Sequence, residues 1–267
     1  MEGPRGKWGE ASTRSTASSW ATPFIGRRAE LESITRMLSG HLAVSIVGIA
    51  GIAKSRLATE AARGWSTSGF GRAVVVDISG CSKVEDLERR VAFGAGSPAD
   101  GALDNLALAM SRGEMLVVLD GCDGLESEAV RRLTELLERA ESRGLLVTSQ
   151  ARLGLPREAV MRLGPLSLTD EPRPAPERLL AHDAPKLLLA AAGVAGGRTY
   201  SVPDEATAAE IAALCRHVNG IPLALEAAAT CLRGLEQGTS FELWRCVSLR
   251  WLKHAVAGGL GCTSKLP

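Results

Sequence analysis

The chain has 267 residues, 45% hydrophobic and 4% aromatic, and its 31 basic and 30 acidic side chains leave a net charge of +1. That is enough apolar material for a packed core of Ala, Leu and Val, which excludes wholesale disorder. The charge balance gives no sign of a nucleic-acid or membrane-surface binder, and no apolar stretch nears the ~20 residues needed to span a bilayer.

Residues 1–22 are rich in Gly, Ser, Thr and Arg and lack the continuous apolar run of a secretory signal. They read as a disordered leader on a cytoplasmic chain. Pro23 and Phe24 open the ordered part. Leu31, Ile34, Met37 and Leu38 lie at helical spacing within Arg28 to Leu38. Leu42 to Val47 is the first strand, Ser55 to Trp65 a helix, and Arg72 to Asp77 a β-branched strand. Helices follow over Val84 to Val91 and Gly101 to Arg112, then a strand from Met115 to Asp120. Leu125 to Arg143 is an amphipathic helix with Val130, Leu133, Leu136 and Leu137 on one face. Leu145 to Ser149 and Val160 to Leu163 are the last two strands. Apolar strands alternating with helices predict an α/β domain, residues 23–168, built on a parallel sheet with both faces covered.

Three prolines between Asp170 and Pro176 mark a linker, residues 169–182. The pattern then turns helical over Asp183 to Ala192, Asp204 to Val218 and Pro222 to Arg233, a small all-helical domain over 183–235. Residues 236–267 show weak periodicity and read as a poorly defined tail. The six cysteines form no C-x-x-C pair and have no His at ligand spacing, so they read as buried hydrophobes in a reducing compartment.

The stretch Gly48-Ile49-Ala50-Gly51-Ile52-Ala53-Lys54-Ser55 lies between the first strand and the helix after it. That is the layout of a phosphate-binding P-loop. The residues assigned to the phosphates are Gly48, Gly51, Ile52, Ala53, Lys54, Ser55 and Arg56, with Lys54 reaching the β/γ-phosphates and Ser55 a ligand of Mg2+. Ala53 stands where glycine is usual before the lysine. A positive φ there would strain Ala by roughly 1–2 kcal/mol, about a 5- to 30-fold loss of affinity.

Asp120, at the end of its strand, is the second candidate Mg2+ ligand. Asp123 is the nearest carboxylate to orient an attacking water, or else a solvated loop carboxylate. Thr148 and Ser149 end the neighbouring strand and either sense a terminal phosphate or cap the strand.

Together these pieces resemble the STAND class of P-loop NTPases, the NB-ARC-like ATPases, and in particular the ATPase module of large bacterial LuxR-like and SARP-like regulators. Phe24-Ile25-Gly26-Arg27-Arg28-Ala29-Glu30-Leu31 resembles that class's N-terminal motif. Leu116 to Asp123 is similar to its Walker B segment, Val147 to Pro156 to its sensor segment, and Cys215 to Glu226 to its helical-domain Gly-x-Pro motif. The resemblance covers about Pro23 to Arg233. It implies an ATP/ADP-dependent switch with Mg2+ as cofactor and with Gly26, Arg27 and Pro222 at the nucleotide. It also implies protein partners or self-association through further domains not legible here. The chain departs from the pattern at Ala53, at Gly121 beside the Walker B Asp, and at Gln150 in place of a sensor Arg that Arg152 could replace only if the loop bends. Since phosphoryl transfer depends on positioning and charge neutralisation, these departures imply slow or absent hydrolysis. The loss of pattern after Arg233 reads as a fragment, a degraded paralogue or a truncated frame. The alternative reading is a scaffold that kept the fold and lost the nucleotide; a metabolic kinase is disfavoured because no acceptor site is legible.

Overall fold

A computed structural model describes residues 20–95, 101–111, 115–140, 144–197 and 199–231. Most of the expected leader, all of the expected tail, and Cys246 and Cys262 lie outside these residues. The chain divides into two units, one containing Arg27–Gly164 and the other Trp20–Gly26 together with the chain from Pro165 onward. The division thus falls after Gly164, not Leu168, and Trp20–Gly26 groups with the helices. Ile25 packs against the helical core, and the Thr22 hydroxyl donates to Glu226 at 2.6 Å.

The first unit holds strands β1 (Ala43–Val47), β2 (Arg72–Asp77), β3 (Met115–Asp120), β4 (Leu145–Ser149) and β5 (Glu158–Arg162). All pair in parallel, in the order β2-β3-β4-β1-β5. Its helices are α1 (Arg28–Gly40), α2 (Lys54–Thr67), α3 (Val84–Ala95), α4 (Ala102–Ser111) and α5 (Ser127–Ala140). Every residue of β1 and β4 is buried, as expected of parallel strands covered on both faces. Helix α2 packs along β1 to β4, and α3, α4 and α5 gather around Leu87, Leu103, Leu106 and Leu133.

Two boundaries differ from the sequence reading. Cys122–Gly124 forms a 3-10 turn, and the Glu126 N–H donates to Ser82 O at 2.9 Å, so α5 starts at Ser127 rather than Leu125. Strand β5 begins at Glu158 because it pairs in register with Ala43 at the start of β1. Arg27 and Gly164, the first and last of this unit's described residues, are tied together: the Arg27 Nη2 donates to Gly164 O at 2.6 Å, and its Nη1 to Glu30 at 2.8 Å.

The second unit contains α6 (Pro176–Leu179), α7 (Asp183–Gly196), α8 (Glu205–His217) and α9 (Pro222–Cys231). The expected linker thus carries one helical turn, started by Pro176, whose missing N–H is harmless there. Asp204 caps α8 by accepting from the Thr207 N–H at 2.8 Å. At Gly220 φ is +61°, and a Cβ would sit 2.7 Å from Leu166 O, so glycine is needed for the close approach before α9.

Candidate functional site

The loop Gly48 to Ala53 leaves the sheet between two strand ends. Leu163 N–H donates to Val47 O at 2.7 Å, and Gly48 N–H donates to Ser149 O at 3.2 Å. A Cβ on Gly48 would meet Leu163 O at 2.8 Å, so a bare backbone is required. Gly51 (φ 76°) and Ala53 (φ 74°) both take the left-handed conformation, which curls the loop and starts α2 at Lys54. Glycine adopts that conformation freely; Ala53 holds it at a cost of about 1–2 kcal/mol.

No side chain caps the N-terminus of α2. Its first N–H groups have no carbonyl within the helix to receive them, and the helix dipole adds partial positive charge at the same end. Ser55 is exposed, and its hydroxyl has no hydrogen-bond partner among the described residues. Lys54 Nζ donates to Gly48 O at 2.8 Å and to Ile49 O at 3.0 Å, folded against its own loop. Burial lowers the Lys54 pKa, while Asp123 and Asp120 oppose that shift. Ile52 and Arg56 are buried, so any part Ile52 takes in binding comes from its backbone.

At the ends of β3 and β4 the polar groups are already paired. The buried Thr148 hydroxyl donates to Asp120 Oδ1 and accepts from the Gly121 N–H at 2.9 Å. The Ser149 hydroxyl donates to Asp123 Oδ1 at 3.0 Å, and the Gln150 N–H donates to the same oxygen. A hydroxyl has one proton to donate, so neither Thr148 nor Ser149 offers its donor to a phosphate in this arrangement. Their hydroxyls tie the end of β4 to the end of β3 and the turn that follows it. Asp123 is exposed but fixed, clamped to the end of β4.

Arg152 turns toward Glu158. Its Nε lies 3.7 Å from Glu158 Oε2, and Glu158 stands level with Ala43, at the opposite end of β1 from the loop. The Glu158 side chain is buried and pins the intervening segment: it accepts from Ser45 Oγ, from Leu153 N–H at 3.2 Å and from Gly154 N–H at 2.9 Å. Sequence reasoning missed Glu158, because a Glu just before an expected strand looks like a surface residue. It also missed Ser79, which lies beside Gly121 and which only the strand pairing brings there.

The residues assigned to the nucleotide from the resemblance are placed as follows. Arg27 is buried, and two of its guanidinium nitrogens serve Glu30 and Gly164, so its side chain works as a clasp rather than a free ligand group. Gly26 (φ 72°) belongs to the helical unit, where a Cβ would lie 2.5 Å from Asp183 Oδ2. Pro222 is buried at the first position of α9.

The donor set suits a hydrated magnesium–polyphosphate. The Ser55 hydroxyl and the Asp120 carboxylate are hard oxygen ligands, and the uncapped start of α2 with Lys54 offers N–H donors and positive charge. Among the described residues no group of three or more His, Cys, Asp or Glu could hold a metal alone. A divalent ion here would therefore take its remaining ligands from phosphate and water. Cys81, Cys122 and Cys215 are free and buried.

No protein-family model matches the chain. An uncharacterized protein of Mycobacterium tuberculosis is 32% identical over 215 residues, covering 78% of this chain and 50% of its own length. A second protein of that organism, named provisionally as an HTH-type transcriptional regulator, is 29% identical over 203 residues, covering 74% of this chain and 21% of its own. The chain thus spans half the length of one relative and about a fifth of the other. Among solved structures, the Walker-type ATPase PABY2304 of Pyrococcus abyssi superposes with a TM-score of 0.58 at 14% identity, over 89% of this chain and 75% of that one. The fold is that of the P-loop ATPases. Among the described residues no helix is long and apolar enough to cross a membrane.

Proposed function

We propose that this chain is an ATP/ADP-binding regulatory switch module of the STAND type, of the NB-ARC-like kind found in bacterial LuxR-like and SARP-like regulators, and that it hydrolyses ATP slowly. One observation carries the reading: the loop Gly48–Ala53 ends at an uncapped helix carrying Lys54 and Ser55, with Asp120 two strands away at the same edge of the sheet. Backbone N–H groups and Lys54 would hold the phosphates, while Ser55 and Asp120 would hold Mg2+. The magnesium supplies charge neutralisation at the phosphate oxygens. Slow hydrolysis is supported by the pairing of Thr148 and Ser149 with the two carboxylates and by Arg152 turning toward Glu158. A regulatory role is supported by the transcriptional regulator to which part of the chain aligns. Protein partners or self-association would act through the rest of such a protein, and the cytoplasm is the proposed location.

The second reading, a scaffold that no longer binds nucleotide, is favoured by Ala53 at a left-handed loop position. Titration of the purified chain with Mg-ATP and Mg-ADP, with Lys54→Ala as control, separates the two. Micromolar affinity lost in Lys54→Ala supports the switch. Millimolar or absent binding, unchanged by the substitution, establishes the scaffold and discards the switch.

A further inference from the structure

Ser79 occupies the space where residue 121 would carry a side chain. Strands β2 and β3 run in register to Asp77 and Asp120, and the Ile78 N–H continues the pairing by donating to Asp120 O at 2.8 Å. The chain then turns, with the Ser79 N–H donating to Asp77 Oδ1 at 2.9 Å. This turn lays Ser79 against Gly121: a Cβ built on Gly121 would lie 2.2 Å from Ser79 Oγ and 3.0 Å from Ser79 Cα. Gly121 is left-handed (φ 84°), and its N–H is held by Thr148. The backbone at 121 is therefore fixed, and a glycine there admits the serine. Ser79 is exposed, and its hydroxyl has no hydrogen-bond partner among the described residues. That leaves an available polar atom beside Gly121, the residue that follows Asp120.

We propose that the Ser79 hydroxyl is a positioning residue for the terminal-phosphate end of the nucleotide, holding a water between Asp120 and the last phosphate in place of a side chain at position 121. The proposal rests on the nucleotide-binding reading above. The strand order supports the direction. Passing outward from the loop after β1, the strand ends met are those of β4, then β3 with Asp120, then β2, which Ser79 follows. A polyphosphate laid from the loop toward Asp120 would therefore turn its last phosphate and that phosphate's hydration, not the first two, to the side of Ser79. The chemistry is also specific. A hydroxyl donates to and accepts from water, yet it is no general base near neutral pH, because it does not ionise there. Ser79 thus holds water at this place without taking its proton, which fits a module that keeps ATP rather than consuming it.

The test is equilibrium titration of the full chain with Mg-ATP and Mg-ADP, in wild type, Ser79→Ala, Ser79→Thr and Lys54→Ala. Ser79→Ala is expected to weaken Mg-ATP by about 3- to 10-fold, the range of one hydrogen bond, and Mg-ADP by less than about twofold. Ser79→Thr should keep the wild-type ratio. Equal losses for both nucleotides, or none for either, overturn the proposal while the loss in Lys54→Ala keeps the nucleotide reading standing. A wild-type chain that binds neither nucleotide overturns both. The shared volume has its own readout in thermal unfolding. Gly121→Asn should lower Tm, and Ser79→Gly added to it should recover part of the loss, since Asn tolerates the left-handed backbone and the closest clash is with the Ser79 side chain, while the Ser79 Cα at 3.0 Å remains. A Gly121→Asn chain as stable as wild type refutes the claim that one space serves both residues.

Discussion

The loop Gly48–Ser55 and the rim formed by Asp120–Asp123 and Thr148–Gln150 border the same edge of the sheet, but their polar groups are disposed differently. On the loop side the start of α2 is uncapped, Ser55 is exposed with no hydrogen-bond partner for its hydroxyl among the described residues, and Lys54 donates to two carbonyls of its own loop. On the rim side both carboxylates are paired with hydroxyls from β4, and Asp123 also holds a backbone N–H. On the proposed reading, the groups that would grasp phosphates are available, and those that would act on a terminal phosphate are engaged with one another. Binding and hydrolysis would then rest on separate parts of one site, and a chain could keep the first while losing most of the second.

The largest expected effect breaks the loop side. Lys54→Ala should weaken Mg-ADP by about tenfold to a hundredfold, the scale of a charge-assisted contact, while Ser149→Ala at the rim changes it by less than about threefold. Fluorescent-nucleotide titration checks both, and comparable losses would erase the distinction. Next in size is the rim's role in stability. Thr148→Val leaves a carboxylate and the Gly121 N–H without their partner, and urea unfolding should report a loss of about 1–3 kcal/mol. Ala53→Gly relieves the left-handed alanine and should add about 1 kcal/mol in the same experiment, less than the full strain because glycine also loosens the unfolded chain.

A smaller effect concerns pH. Lys54 in the folded chain loses its proton below the ordinary 10.5 because burial disfavours the charge. Between the two pKa values the unfolded chain binds the extra proton, so this group's contribution to stability rises with pH across that window. Nucleotide affinity should move the opposite way, falling over the same alkaline range as the ammonium is lost. Calorimetric titration at several pH values reads the slope, and an affinity that holds flat up to 10.5 would show that Lys54 does not contact the phosphates. The smallest effect is on thiol chemistry. Burial pushes the Cys215 thiol up to about 12 and raises that of Cys122 further, so alkylation of the native chain should leave both unmodified by peptide mapping. Thr148→Val should begin to expose Cys122, next to the rim, and leave Cys215 as it was.

The α/β fold was legible because buried parallel strands announce themselves. Ala73-Val74-Val75-Val76 and Leu116-Val117-Val118-Leu119 admit few other readings, and the loop with Lys54 and Ser55 marked the strand before it as β1. The placing of the loop Gly48–Ala53 between β1 and α2 was legible for the same reason, since its residues are contiguous. The rim was not. That Thr148 serves Asp120, Ser149 serves Asp123 and Ser79 fills the space beside Gly121 depends on β2, β3 and β4 lying side by side, and residues about 27 and 42 apart carry no local mark of meeting. The link from Arg27 to the Gly164 carbonyl was not legible either, because those residues stand at opposite ends of the unit's sequence.

The most direct test of this separation is a single-turnover experiment, with chain in excess over Mg-ATP, quenched at intervals and the nucleotides resolved. The account predicts that ATP binds through Lys54 and remains intact for minutes, with a hydrolysis rate below about 0.01 per second against the roughly 10 per second typical of enzymes. Conversion of the bound ATP to ADP within about a second would contradict it.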